Sequence, residues 1–123
     1  MPRSVLLVES DNDLAATVGA MLRALGYPVT MIGDETRALS AMHGIRFGLL
    51  VTTLRRGADT SVHFVREAKL LLPQLKILII TGAGQARTPH DAVFDAVLHK
   101  PFDIAALGKI ACSLTGETVP GSA

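Results

Sequence analysis

The chain has one cysteine, Cys112, so it cannot form an internal disulfide, which fits a reducing compartment. Aromatic residues make up only 4% of it, and the core must therefore be built from aliphatic side chains. Neither sign of charge dominates: twelve basic residues against eleven acidic ones leave a net charge of +1, without a long run of either. That balance removes the electrostatic case for nucleic acid or a membrane as the main partner. Long apolar runs are missing too. Met1-Pro2-Arg3-Ser4 leads into only four apolar residues before Glu9, too few for a signal peptide or a spanning helix. No repeat or low-complexity tract interrupts the 123 residues, a length suited to one compact domain. A soluble, cytoplasmic domain is the expectation.

What is present alternates between short apolar runs and amphipathic stretches. Val5-Leu6-Leu7-Val8 has no polar alternation, as expected of a strand covered on both faces. Leu14, Val18, Met21, Leu22 and Leu25 then fall on one helical face, closed by Gly26. Val29 to Ile32 reads as a second strand, and Asp34 as the cap of a helix ending near His43-Gly44. Leu49 to Thr52 is the third strand. A helix from about Ser61 to Leu72 buries Val65, Ala68 and Leu72 until Pro73 stops it. Lys76-Ile77-Leu78-Ile79-Ile80 is the clearest strand, and Ala96-Val97-Leu98-His99 is a short fifth. Asp103 caps a last helix with Ile104, Leu107, Ile110, Ala111 and Leu114 on its buried stripe, beside which Cys112 reads as a core thiol. Residues 115–123 are polar and are expected to form a mobile tail after a domain spanning 1–114. The stretch from Gln85 to Asp95, with Pro89 and little periodicity, predicts a short or frayed fourth helix.

This order argues for a parallel sheet with helices on both faces. In such sheets chemistry sits at the carboxyl ends of the strands, beside the point where strand order reverses. Those ends carry Glu9, Ser10 and Asp11, then Thr53, then Thr81, then Lys100-Pro101. Two acids, three hydroxyls and a lysine thus converge on one cleft.

Four segments at those ends resemble the receiver domain of two-component signalling. Residues 5–14 (VLLVESDNDL) resemble its acidic opening, and residues 50–57 (LVTTLRRG) its acceptor strand and loop. Ile79-Ile80-Thr81-Gly82 is similar to its hydroxyl switch, and His99-Lys100-Pro101-Phe102 to its lysine-proline signature, whose proline bond is often cis. The likeness runs from about Ser4 to Leu114. It implies a flavodoxin-like, doubly wound α/β fold with a five-stranded parallel sheet of order 2-1-3-4-5. In that family an acidic pair and an acceptor aspartate hold magnesium, the aspartate takes up a phosphoryl group, and the hydroxyl and lysine grip it. Matched position by position, Glu9 is the first acid, Thr81 the switch hydroxyl and Lys100 the lysine. Ser10 falls on the second acid and Thr53 on the acceptor. Gly57 replaces the usual loop proline, and Val97 the frequent Tyr or Phe.

Those replacements change the chemistry. An aspartate is ionised at neutral pH and attacks directly, whereas a threonine hydroxyl needs a base to remove its proton. His99 adjoins Lys100, but alternation along the strand turns it away from the cleft. Magnesium seeks carboxylate and phosphate oxygens, so with Ser10 and Thr53 in two ligand positions its binding is expected weak or absent, left to Glu9 and Asp11. Thr53 is therefore not expected to be phosphorylated, no cofactor is expected, and the chain reads as a pseudo-receiver without catalytic residues.

Each pocket residue also has a plainer role. Glu9 and Asp11 can serve the positive end of the first helix, worth about 0.3–1 kcal/mol. Lys100, without an acceptor carboxylate, is expected to pair with Glu9 or Asp11. Thr81 is expected to bond to backbone. Arg55 and Arg56 are either solvated or reach Glu9 or Asp11 and lock the pocket. The segment from Thr81 to Gly84 lacks a nucleotide fingerprint and reads as a loop entry, and His43, His63 and His90 show no metal-ligand spacing. The function expected is an atypical single-domain response regulator receiver in phosphorelay signalling, a protein-interaction module and not an enzyme. Its partner would be a histidine kinase or another regulator, and the face built by the fourth and fifth units is the usual surface for a partner or a second copy. Two alternatives stand beside it: a working phosphoacceptor using Asp11 or Asp59, and small-ligand binding in the same cleft.

Overall fold

The computed structural model of the protein describes residues 4–53, 59–81 and 94–116. Five strands run through them: Val5–Val8 (β1), Val29–Ile32 (β2), Leu49–Thr53 (β3), Lys76–Thr81 (β4) and Ala96–His99 (β5). Four helices are described: Asn12–Ala24 (α1), Glu35–Gly44 (α2), Asp59–Leu71 (α3) and Ile104–Thr115 (α4). The strands form one sheet of order β2-β1-β3-β4-β5, parallel throughout. The expected flavodoxin-like fold and strand order are what the structure has. Register pairs Val8 with Thr52, Thr53 with Ile80, and Thr81 with His99.

Alternation along the strands splits the core in two. Leu6, Leu50, Ile77 and Ile79 face α2 and α3, packing with Met42, Phe64, Val65 and Ala68. Leu7, Leu49, Val51, Leu78 and Ile80 face α1 and α4, packing with Val18, Leu22, Leu107 and Ala111. Leu6, Leu49, Leu50, Ile77, Leu78 and Ile80 are at most 1% exposed, and burying each stabilises the fold by about 1.5–3 kcal/mol. Thr52 is the exception in this apolar layer. It is buried because its hydroxyl donates to the carbonyl of Val8, 3.2 Å away on the neighbouring strand.

The caps follow from short polar side chains. Asp11 accepts from the amides of Asp13 and Leu14, Asp34 from Thr36, and Asp103 from Ala106. The third helix begins at Asp59, two residues before the expected Ser61. At the far end, α4 includes Thr115, which the sequence reading placed in the tail. Thr115 is 9% exposed, its hydroxyl donates to the carbonyl of Ala111 at 2.8 Å, and it lies 3.4 Å from the Tyr27 hydroxyl. Gly116, with φ of 72°, closes the helix. The expected short or frayed fourth helix falls on residues 85–95, most of which lie outside the described residues, as do tail residues 117–123.

Candidate functional site

Four of the five strands end side by side on one edge. Glu9 follows β1, Thr53 ends β3, Thr81 ends β4, and Lys100 follows β5. In each of these strands the apolar residues give way to polar ones at this end, which gathers the polar side chains along one edge. Thr53 and Glu9 sit at register positions two beyond Val51 and Leu7, on the side covered by α1 and α4.

These two residues bond directly. The Thr53 hydroxyl donates to the Glu9 carboxylate across the β1–β3 pair. Both residues are half-buried, so the bond is partly shielded from solvent. Asp11 is exposed and engaged elsewhere: its Oδ1 takes the amides of Asp13 at 3.0 Å and Leu14 at 3.2 Å. Ser10, at the second acidic position, is exposed.

Lys100 departs from expectation. Among the described residues its side chain makes no ion pair, with Glu9, Asp11 or any other acid. Its backbone amide donates to the carbonyl of Thr81 at 2.8 Å, and the Lys100–Pro101 peptide bond is cis. The hydrogen bond to Thr81 ties the Lys100 backbone to β4, and its half-buried side chain has no carboxylate partner among the described residues.

His99 also requires a correction. Alternation along β5 does set it on the opposite side from Lys100, but the same alternation along β4 sets Thr81 on that side as well. The two meet. Thr81 Oγ1 lies 3.0 Å from His99 Nδ1, so among the described residues the switch-position hydroxyl bonds to a side chain and not to the expected backbone. Thr81 is 3% exposed, and His99 bridges it to solvent. The register of Thr81 opposite His99 was the missing information, because periodicity within one strand cannot supply it.

Beneath this edge, the stretch that leads into β5 is tied down. The Asp95 carboxylate accepts from the amide of Ile77 at 2.8 Å and pairs with Lys69 at 3.2 Å, while Lys69 also donates to the carbonyl of Leu75. Arg55, Arg56 and Gly57 lie outside the described residues, so a pocket lock through either arginine has no geometry here; Asp59 is the first residue of α3. Among the described residues no group of three or more His, Cys, Asp or Glu is gathered as a metal site would need. No helix among them is long and apolar enough to cross a membrane.

Comparison with known proteins decides the family. Over 105 residues the chain is 35% identical to the response regulator receiver protein CpdR of Brucella abortus, spanning 83% of this chain and 88% of that one. The chain belongs to the response regulator receiver family. This receiver is also 26% identical over 102 residues to the transcriptional regulator FixJ of Bradyrhizobium diazoefficiens, of which it spans half. No family model matches. Among solved structures, a receiver protein of Sinorhizobium medicae superposes with a TM-score of 0.80 at 22% identity, covering 94% of this chain and 95% of that one. The receiver domain of a Pseudomonas aeruginosa sensor histidine kinase, solved with magnesium in its active site cleft, gives 0.82 at 24%, covering 95% and 100%. These two share the fold. The relatives place the chain in two-component signalling, and the pocket sets its individual chemistry.

Proposed function

We propose that this receiver is a pseudo-receiver, a protein-interaction module of two-component signalling that works without accepting a phosphoryl group. The observation that carries the reading is the Thr53 hydroxyl donated to Glu9. The acceptor position presents a neutral hydroxyl, and the nearest carboxylate is held as that hydroxyl's acceptor. Glu9 is too weak a base to free a threonine alkoxide at neutral pH, because proton transfer in that direction is uphill by many orders of magnitude.

The donor set also fits magnesium poorly. A hard divalent ion wants several anionic oxygens in octahedral array. Glu9 offers one carboxylate already bonded to Thr53, Ser10 offers a neutral hydroxyl, and Asp11 is spent capping α1. The same capping contacts argue against Asp11 as a substitute acceptor, since phosphorylation there would displace two amides from the helix start. Signalling then rests on the shape of the domain, read by a histidine kinase or another regulator.

The test is incubation with acetyl phosphate and magnesium, followed by intact-mass analysis. The mass is expected to stay unchanged. A single added phosphate mapped to an aspartate would overturn the proposal.

A further inference from the structure

The Thr81–His99 pair joins a buried hydroxyl to a surface imidazole. Thr81 is 3% exposed, His99 is exposed, and Oγ1 stands 3.0 Å from Nδ1. Among the described residues neither side chain makes another hydrogen bond or an ion pair. The hydroxyl hydrogen therefore has one acceptor there, Nδ1, and only while Nδ1 carries no proton. Imidazole is the side chain that ordinarily gains a proton between about pH 5 and 8.

Protonation reverses the bond. An imidazolium carries hydrogen on both ring nitrogens and accepts nothing, so Nδ1 would meet Oγ1 as a donor. The Thr81 hydrogen then loses its acceptor in a site closed to bulk water, where an unmet donor is costly. The hydroxyl escapes that cost by turning about χ1 to another staggered position, and the ring, already at the surface, turns to water.

Other charges are placed away from this contact. β5 packs against β4 and α4. The charged residue of β4, Lys76, lies at the far end of that strand, and alternation sets both it and Lys100 on the opposite face of the sheet. That opposite face is the one α4 covers, with Lys109, Cys112 and the capping Asp103. On the His99 side, Asp95 is four residues away and engaged by Lys69 and the amide of Ile77. His63, Arg66 and Glu67 of α3 lie on that side too, and none bonds to the ring. The protonation state of His99 is thus felt first at Thr81.

We propose that His99 is a proton-operated latch on Thr81: the neutral ring holds the hydroxyl at the end of β4 against β5, and protonation releases it. The input to this end of the sheet is then a proton. The latch holds whether or not Thr53 accepts a phosphoryl group.

The test is a nuclear magnetic resonance titration of the full chain, labelled with carbon-13 and nitrogen-15, from about pH 8 to about pH 5. At the upper end the His99 ring is expected to carry its hydrogen on Nε2 and none on Nδ1. The three-bond couplings to the Thr81 methyl carbon, which report χ1, are expected to change with the same midpoint as the ring. His99→Gln cannot titrate and should keep one set of couplings throughout, which separates the latch from any general effect of acid. Hydrogen on Nδ1 at about pH 8, Thr81 couplings that stay constant while His99 titrates, or the same change in His99→Gln would each overturn the proposal.

Discussion

Thr53 donates its hydroxyl hydrogen to Glu9, so the last residue of β3 and the first residue after β1 are joined by a neutral–anionic hydrogen bond. In an aspartate-bearing receiver the same two positions would face each other as carboxylates, which repel unless a cation lies between them. The threonine removes that conflict, and on the proposed reading it also removes the nucleophile and one carboxylate ligand for a cation.

Restoring the acid should therefore restore the conflict. Thr53→Asp is expected to lower stability by about 1–2 kcal/mol in magnesium-free buffer, seen as a fall in melting temperature. In Thr53→Asp with Ser10→Asp, millimolar magnesium should recover that loss, while the wild-type melting temperature stays fixed. A wild-type protein stabilised equally by magnesium would show that Glu9 and Asp11 suffice to hold it.

The Thr81–His99 pair makes a second expectation. Thr81 is buried, so removing His99 leaves its hydroxyl short of a partner, at a cost of about 1 kcal/mol. Thr81→Val removes the hydroxyl itself and should cost less. In the double variant the two effects should not add, because both remove one bond. Urea unfolding of the four proteins measures the coupling; strict additivity would mean the bond contributes nothing.

Much of this was legible beforehand, and the reasons are local. The strand runs and the caps at Asp34 and Asp103 depend on residues within a few positions of one another, so periodicity and capping chemistry reach them. The Thr53 substitution was visible because the strand around it matches a known pattern. Three features were not legible. The partner of Thr81 depends on how β4 is registered against β5, and the lack of an ion pair for Lys100 among the described residues on Glu9 being bonded to Thr53. Thr115 looks like tail by composition, yet Tyr27, distant in the chain, lies against it in the core. Each depends on residues distant in the chain, which no window of sequence contains.

Asp95 offers a test of how the segment entering β5 is anchored. Its carboxylate takes the amide of Ile77 and the ammonium of Lys69 together. Asp95→Ala strands the amide of Ile77, while Lys69 keeps the carbonyl of Leu75, and is expected to cost about 1–2 kcal/mol in chemical denaturation. Lys69→Met leaves the Ile77 contact intact and retains the aliphatic stem, so its cost should be under about 1 kcal/mol. If the lysine variant proved the more damaging of the two, the ion pair would outweigh the amide contact.

Two glycines at helix ends predict opposite signs for one substitution. Gly44 closes α2 with an ordinary helical backbone, and a Cβ there would meet nothing within 4 Å. Gly44→Ala should stabilise by up to about 0.5–1 kcal/mol, because alanine loses less backbone freedom on folding. Gly116 also has open space around it, but its φ of 72° lies in the left-handed region. Gly116→Ala should cost about 1 kcal/mol through the clash between Cβ and the local carbonyl, with no change in packing. Thermal melts of the two single variants give the comparison. Since space is equal at both sites, opposite signs would isolate backbone conformation as the cause, and matching signs would show that Gly116 does not hold its left-handed turn in solution.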